Sequence, residues 1–366
     1  MVGGTHPASL AAASAMAHWL FCGTPCSRRS HPRTAFWSSG SSPEAWTRAT
    51  HSCSDRPVRA ASDPLTALIM SSGVRGMAGS LAWYPMQSRE EIVADAEVGE
   101  PLIGDGVTAG IVRIGDTVRR PVRPFTATVH AYLAHLHEAG FTGAPVPLGI
   151  DEQGREVLSY VPGDVPRIPL PPETAGGDVL VALGGLIRRL HQASAGWVPP
   201  PDAVWGGLPG ATPPPPGPDG EPELVSHRDY CPGNVVFRDG RPAALIDFDL
   251  AKPTTRIYDI VNAMWWWAPL RDPRDRAPAF ADLDVPRRVA LFADAYGMDE
   301  RLRHLFVPTA IFVANRYHQS ARAAAEADPV FRRLWEEGAR DELPRAEAWL
   351  EQAGPMIASR LEGGPA

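Results

Sequence analysis

The stretch from His227 to Asp249 carries the side chains whose types and spacing are most informative about chemistry. Besides Asp239, three carboxylates and one amide occur in it: Asp229, Asn234, Asp247 and Asp249. Two short apolar segments connect Asn234 to Asp247, and Asp239-Gly240 between them predicts a hairpin turn. Asn234 and Asp247 should therefore emerge at the same end of the hairpin, within about two residues of register. Amide and carboxylate oxygens suit Mg²⁺, which completes its shell with water and substrate phosphates.

Asp229 lies on the loop that precedes the first of these strands, five residues before Asn234. A carboxylate in this place can accept the proton of an attacking hydroxyl group.

The motif His-x-Asp-x-x-x-x-Asn, followed by Ile-Asp-Phe-Asp, resembles the catalytic and metal-binding segments of the aminoglycoside phosphotransferase and choline kinase family, which is related to the protein kinases. The resemblance implies that Asp229 is the catalytic base and that Asn234 and Asp247 hold the metal. Asp249 is expected to be a structural acid, and His227 a buried hydrogen-bonding residue.

The resemblance extends over about residues 95–330 and implies an α+β fold of the protein-kinase-like, two-lobed type. A small β-rich N-lobe that binds the nucleotide is expected over residues 88–161. A mainly helical C-lobe with the catalytic loop and the metal site is expected over residues 162–366.

The segment 101–120 has a pattern of strand, glycine-containing turn, strand, tight turn and strand. Gly104 and Gly106, with Gly110 after them, occur where the glycine loop of the family covers the nucleotide phosphates. Backbone N–H groups in such a loop bind anions. Gly104 and Gly106 are therefore expected to contact the nucleotide.

The lysine that anchors the phosphates in the family is missing, because Lys252 is the only lysine in the chain. Arg119 and Arg120 stand in its place and are expected to contact the nucleotide. Arginine is longer and planar, so this exchange is not neutral. His130 stands near the position of the glutamate that pairs with the lysine, so both halves of that ion pair are replaced.

The segment Ser159-Tyr160-Val161 resembles the hinge between the lobes, whose backbone groups hydrogen-bond a purine edge. Ser159 and Val161 are therefore expected to bind the base of ATP or GTP. The choice between the two nucleotides stays open, because the hinge recognises the base through backbone groups.

Apolar residues at helical spacing predict five helices, at about residues 126–139, 178–193, 286–296, 301–325 and 329–353. The proline-rich segment 198–223 is predicted to be an extended surface connector. Asp259 opens a further helix and, by the resemblance, supports the catalytic loop through His227 or Arg228. At least one of Trp265–Trp267 must face the cleft or the surface, because three consecutive residues cannot share one helix face.

Residues 1–87 differ in composition from the rest of the chain. Up to residue 85 they contain seven arginines against three acids and show no sustained period for helix or strand. A secretory signal does not fit, because no positive region precedes the apolar stretch, whereas a transit peptide fits the composition but not the length. The remaining readings are disorder, or upstream sequence ahead of a true start at Met70, Met77 or Met86.

Composition limits the classes of function. The chain has 366 residues, a net charge of −7 and a hydrophobic fraction of 44%, and no apolar run long enough for a membrane span. We therefore expect a cytoplasmic protein that binds neither nucleic acid nor membrane, and whose partners are a nucleoside triphosphate and a small molecule. The number and spacing of the four cysteines do not indicate a disulfide framework or a zinc site.

The first hypothesis is a Mg²⁺-dependent kinase that moves the γ-phosphate of ATP or GTP to a hydroxyl of an aminoglycoside-, choline- or sugar-like molecule. The alternative is a kinase-like protein that binds a metabolite or nucleotide with weak or no catalysis, suggested by the missing lysine and glutamate. Metal-assisted hydrolysis is disfavoured, because the hairpin provides one metal cradle and no histidine ligand pair.

Overall fold

The computed structural model describes residues 99–102, 110–167, 169–213 and 215–363. The extension expected over residues 1–87 lies outside this part of the chain, as do Gly104 and Gly106.

Five short strands form one antiparallel sheet in the order β1-β2-β3-β5-β4. They are β1 (Glu100–Pro101), β2 (Val112–Ile114), β3 (Thr117–Pro121), β4 (Pro147–Ile150) and β5 (Arg155–Ser159). The pairing of β3 with β5 sets Arg120 directly opposite Glu156. Because side chains alternate along a strand, Arg119 and Arg120 point to opposite faces of this sheet.

Helix α1 (Thr126–Glu138) connects β3 to β4 and packs against β4 and the next helix. Its buried face is Val129, Tyr132, Leu133 and Leu136, the i, i+3, i+4, i+7 pattern of an amphipathic helix. The Tyr132 hydroxyl also donates a hydrogen bond to the carbonyl of Val225, at 2.8 Å. This bond connects the helix to the strand that leads into the catalytic motif.

Helix α2 (Gly177–Ser194) is the central helix of the second half of the protein. Its buried row consists of four side chains with an exposure of 0% each: Leu180, Leu183, Ile187 and Leu190. Burial of each such side chain stabilises the fold by roughly 1.5–3 kcal/mol. The helix packs on β6, β8 and α4, and so forms a base under the site segments.

Two small ribbons follow α2. Strands β6 (Leu224–Ser226) and β9 (Lys252–Thr254) pair in one, and β7 (Val235–Arg238) and β8 (Arg241–Leu245) pair in the other. The turn of the second ribbon is Asp239-Gly240, both with positive φ (50° and 72°), as the predicted hairpin requires. The ribbon β6–β9 brings the start of the motif beside the chain that follows it.

The remaining chain is helical. It contains α3 (Arg256–Trp267), α4 (Val285–Tyr296), α5 (Glu300–Ala327), α6 (Pro329–Leu334) and α7 (Arg340–Glu362). A wide helical turn at Trp335–Ala339 divides the last predicted helix, because Gly338 leaves helical geometry there. In the described part of the chain, no helix is both long and apolar enough for a membrane span.

The three tryptophans of α3 are all buried, with exposures of 1%, 5% and 0% for Trp265, Trp266 and Trp267. Trp266 nevertheless lines an open cavity, so the expectation that one of them faces the cleft is confirmed. The β-rich first part and the helical remainder have the predicted α+β, protein-kinase-like architecture. The lobe boundary at residues 161 and 162 stays a prediction.

Candidate active site

Asp229 is on the loop between β6 and β7 and is 7% exposed. The loop begins with Arg228 in a left-handed conformation (φ 67°), which is uncommon for a residue with a side chain. The Asn234 side-chain amide donates to Asp229 Oδ2 at 2.8 Å. Burial, and after it the nearby Asp247, raise the pKa of Asp229 to about 7, against the lowering effect of hydrogen bonds from Cys231 and Asn234. A pKa near neutrality suits a general base.

His227 connects this loop to the hairpin. It is fully buried, and its Nε2 must carry the proton, because its partner at 2.9 Å is the carbonyl of Ile246. Nδ1 then accepts the backbone N–H of Asp229 at 3.2 Å. Burial lowers the pKa of His227, which is consistent with a neutral ring. The imidazole is therefore the buried hydrogen-bonding residue that the sequence predicts.

Asp259 supports the same loop through other partners than those expected. Its Oδ2 accepts hydrogen bonds from His191 Nε2 at 2.7 Å, Ser226 Oγ at 2.7 Å and Tyr230 OH at 2.5 Å. Burial acts to raise the pKa of Asp259, but these bonds and the charge of His191 hold it below its usual value. The expectation of bonds to His227 or Arg228 was wrong, because hydroxyls on both sides of those residues reach the carboxylate.

Asn234 and Asp247 emerge together at the end of the hairpin. Val235 pairs with Leu245, and the Ile246 N–H donates to the Asn234 carbonyl at 2.9 Å, so Asp247 is one residue out of register with Asn234. Asp247 has φ 61°, and its side chain is 28% exposed. The convergence that the hairpin predicts is present.

The donor set of these two residues fits Mg²⁺. The Asn234 side-chain nitrogen donates to Asp229 and so turns the oxygen Oδ1 away from it, and no described residue donates to that oxygen. Asp247 adds a partly exposed carboxylate. The described residues contain no group of three or more His, Cys, Asp or Glu side chains that suits a metal ion. Mg²⁺ does not need one, because phosphates and water complete its shell.

Arg120 extends from the sheet into this cluster of acids. Its guanidinium lies 2.5 Å from Glu156 Oε2, 3.2 Å from Asp247 Oδ1 and 2.6 Å from Asp249 Oδ1. Burial alone lowers the pKa of Arg120, but the three carboxylates raise it above its usual value. Arg120 is therefore charged and connects the N-terminal sheet to both acids of the Asp-Phe-Asp motif.

Glu156 was not expected from the sequence. It is fully buried, and besides Arg120 it has His130 Nε2 at 2.9 Å. Burial acts to raise its pKa, but His130 and Arg120 hold it below the usual value. His130 on α1 thus contacts an acid on β5 instead of pairing with an N-lobe arginine directly. The available signal was the alternation on β3 and β5, which brings Arg120 and Glu156 to one face.

The other predicted nucleotide residues are distributed over the sheet and its exit. Arg119 lies on the face opposite to Arg120, 3.4 Å from Asp151. The Ser159 hydroxyl accepts the N–H of Val146 at 2.8 Å, and the Ser159 N–H donates to the carbonyl of the same residue. Within the described residues no hydrogen bond uses the N–H of Val161.

A cavity of about 620 Å³ opens beside Asp229. Its walls come from α3, α5, β9 and the proline-rich segment, which contributes residues from Gly207 to Pro222. Gly206 makes this approach feasible, because a Cβ atom there would lie 2.0 Å from the Asp249 carbonyl oxygen. The described residues of the segment form no helix or strand, as predicted, but they are a wall of the candidate site in addition to a connector.

Comparison with known proteins gives one matching family model. Residues 208–292, which include the catalytic motif, match the model of the phosphotransferase enzyme family, APH. The chain is 17% identical to a solved choline/ethanolamine kinase family protein from Mesorhizobium loti, with a TM-score of 0.46 over 69% of this chain and 89% of that one.

Two characterised relatives match by sequence. A homoserine kinase from Phenylobacterium zucineum is 48% identical over 50 residues, which are 14% of this chain and 16% of that protein. The trifolitoxin immunity protein of Rhizobium leguminosarum bv. trifolii is 33% identical over 231 residues, 62% of this chain and 84% of that protein. The resemblance predicted from the motifs is confirmed, and the chain belongs to the phosphotransferase enzyme family.

Proposed function

We propose that the protein moves the γ-phosphate of ATP or GTP to a hydroxyl group of a small molecule. The observation that carries this proposal is the convergence of Asp229, Asn234 and Asp247, with Asp229 at the wall of a cavity large enough for an organic acceptor. The match to a homoserine kinase agrees with a small hydroxyl-bearing acceptor. The cytoplasmic location expected from the sequence stays a prediction.

In this reaction Asp229 acts as the base. An acceptor hydroxyl in the cavity would donate its proton to the carboxylate while its oxygen forms a bond to the γ-phosphorus and the bond to the nucleoside diphosphate breaks. The raised pKa of Asp229 gives the carboxylate more affinity for the proton than an exposed aspartate has. The Asn234 amide fixes the orientation of that carboxylate.

Asn234 and Asp247 would hold Mg²⁺, which supplies positive charge to the transferred phosphate. Arg120 is the better candidate for the missing lysine than Arg119, because its guanidinium already contacts Asp247 and Asp249. Glu156 fixes its position from the neighbouring strand. The Val161 N–H is the candidate donor to the nucleotide base, with Ser159 beside it, and Gly104 and Gly106 stay predicted phosphate contacts.

The test is the melting temperature of the protein with Mg²⁺ and millimolar ATP or GTP, compared with an Asp247→Ala variant. A nucleotide site built on Asp247 predicts a rise of the melting temperature that needs both metal and nucleotide and is lost in the variant. An Asp239→Asn variant, which removes an exposed acid in the turn of the same hairpin but keeps a residue suited to its left-handed conformation, is the control and should retain the rise.

A second candidate has support from one observation. The Arg120 guanidinium lies between the acids of the metal motif and neutralises part of their charge without any metal. A nucleotide- or metabolite-binding protein without turnover could use this arrangement. It predicts that nucleotide raises the melting temperature equally with and without Mg²⁺, an outcome that contradicts the phosphotransferase.

A further inference from the structure

Three cationic side chains line the cavity beside Asp229, on separate segments of the chain: Arg228, Lys252 and Arg316. We propose that they form an anion-binding subsite, so that the hydroxyl compound accepted here carries a carboxylate or a phosphate group. The inference deepens the proposed function and rests on it for the role of the cavity as an acceptor site.

Only part of the hydrogen-bonding capacity of the Arg228 guanidinium is used within the described residues. Nη1 donates to Thr254 Oγ1 at 2.7 Å, and the group stacks over the ring of Tyr258 at 3.9 Å from the centroid. Its Nε is buried without a hydrogen-bond partner among the described residues. A buried N–H without a partner is costly, so this guanidinium is poorly compensated within the fold. Nη2 also has no hydrogen-bond partner among the described residues and is not buried, so it is the donor that an anion in the cavity would satisfy.

Lys252 on β9 pairs with Ser226 on β6, and Arg228 follows Ser226 by two residues. Burial, and after it the charges of Arg228 and Arg316, lower the pKa of Lys252 to about 7. The only lysine in the chain is thus set among like charges, and no ion pair to it occurs in the described residues. A ligand anion would compensate all three charges together.

Arg316 faces them from α5. It donates to Gln319 Oε1 at 2.9 Å and to the Thr212 carbonyl at 3.3 Å, which are neutral partners. Asp219 and Glu221 also line the cavity, but within the described structure neither forms an ion pair with any of the three cations. Asp219 instead accepts a hydrogen bond from Thr255 Oγ1, at 2.7 Å.

The rest of the wall favours an organic anion. Leu250, Trp266 and Phe312 supply apolar and aromatic surface in the same cavity. Asn262 and Tyr317, which hydrogen-bond each other at 2.6 Å, add polar groups. A volume of about 620 Å³ lies within the range of pockets that take small organic ligands. A polycationic acceptor would meet repulsion from the three charges.

The single lysine provides a direct assay. The full chain is treated with a neutral acylating reagent, N-acetoxysuccinimide, at pH 7.5, and acylation of Lys252 is followed by mass spectrometry. The only other amine in this sequence is the N-terminal one, which serves as the internal reference. The acylation of Lys252 is expressed relative to it, which corrects for reagent that the amines of spermidine consume. Inorganic phosphate, 3-hydroxybutyrate, 3-hydroxybutyramide and spermidine are added separately, with sodium chloride keeping the ionic strength constant.

We expect phosphate and 3-hydroxybutyrate to slow the acylation of Lys252 saturably, and the amide and spermidine to have no effect. The anion with the lower half-saturating concentration identifies which of the two groups the subsite takes. In Arg316→Gln the half-saturating concentration should rise about tenfold, the effect of one lost charge-assisted hydrogen bond. Arg322→Gln on the same helix is the matched control and should change nothing, because Arg322 is exposed and pairs with Glu326.

Absence of protection by both anions, or equal protection by spermidine, would overturn the proposal. The assay contains no nucleotide, so its outcome is separate from that of the phosphotransferase test. Protection of Lys252 without Mg²⁺-dependent nucleotide binding would support the anion subsite and refute the kinase. Mg²⁺-dependent nucleotide binding without protection of Lys252 would support the kinase and refute the anion subsite.

Discussion

Two groups of cationic side chains near the catalytic motif are built in opposite ways. Arg120 is surrounded by three carboxylates, from Glu156, Asp247 and Asp249. Arg228, Lys252 and Arg316 line the cavity with neutral partners and with each other. An enclosed arginine has its charge compensated within the fold, and here it also fixes the position of two strands. Cations that have no acidic partner within the fold need a ligand to compensate their charge, which is a property of a binding site.

In the proposed reaction neither group of cations accepts the proton, and Asp229 alone is the predicted base. Asp229→Asn should lower turnover by about 10²–10⁴-fold, the usual contribution of a general base. Nucleotide affinity and the anion protection of Lys252 should change little, because both cationic groups stay intact. Nucleoside diphosphate formation is the measurement, with Asp239→Asn as the control. Unchanged turnover would remove Asp229 from its role.

Removal of the enclosed arginine should destabilise the fold strongly. Arg120→Met leaves three acids uncompensated, and loss of one partner of a buried ion pair costs about 3–5 kcal/mol. Urea denaturation measures this change. Arg241→Met provides the comparison, because Arg241 is exposed and lies 3.8 Å from the equally exposed Asp178, so its loss should have no measurable effect. Equal stability of the two variants would show that Arg120 is not held as described.

Removal of Lys252, one of the three cations that line the cavity, should stabilise the fold instead of destabilising it. Lys252→Met should stabilise the protein by about 1 kcal/mol near pH 7, an amount reduced from the full pKa shift because the side chain is partly exposed to the cavity. The folded pKa is about 7 and that of a free lysine 10.5. Charged Lys252 therefore lowers stability in full below pH 7, and this penalty is relieved as the pH rises to 10.5. Urea denaturation at several pH values measures it, and a destabilised variant would contradict the repulsion.

The smallest effect concerns the pH dependence of acceptor binding. As the pH rises above 7, Lys252 loses its proton and the KM for an anionic acceptor should rise by up to about tenfold. Arg228, Arg316, Asp219 and Glu221 also line this cavity. Asp229 also titrates near pH 7. The Lys252→Met variant separates the titration of Lys252 from that of Asp229. Its KM for the anionic acceptor should be higher, and above pH 7 it should change only through the titration of Asp229.

The sequence predicts the hairpin and its chemistry well, because the determinants are local. Asp239-Gly240 selects the turn, and the turn sets the register that joins Asn234 to Asp247. Four of the five helices are predicted to within two residues for the same reason, since each depends on its own apolar period. The fifth, predicted over residues 329–353, is broken at Trp335–Ala339 and continues to Glu362.

The contacts that the sequence did not predict join distant segments. Glu156 reaches Arg120 across two strands, Asp259 reaches His191 on another helix, and the proline-rich segment closes over the cavity. None of these can be predicted from local spacing alone, since each depends on how elements pack. The alternation that puts Arg120 and Glu156 on one face becomes informative only when β3 is known to pair with β5. The cation group is of the same kind: Lys252 and Arg316 are 64 positions apart in sequence and meet only in the folded protein.

The most direct test follows the γ-phosphate itself. The full chain is incubated with γ-³²P-labelled ATP or GTP and Mg²⁺, and with either a pool of hydroxy acids and phosphate-bearing alcohols or a pool of hydroxy amines of similar size. We predict that label leaves the nucleotide and enters the anionic pool, and that Asp229→Asn prevents this. Label that stays in the nucleotide with both pools would contradict phosphotransfer, and label that enters only the amine pool would contradict the anionic acceptor.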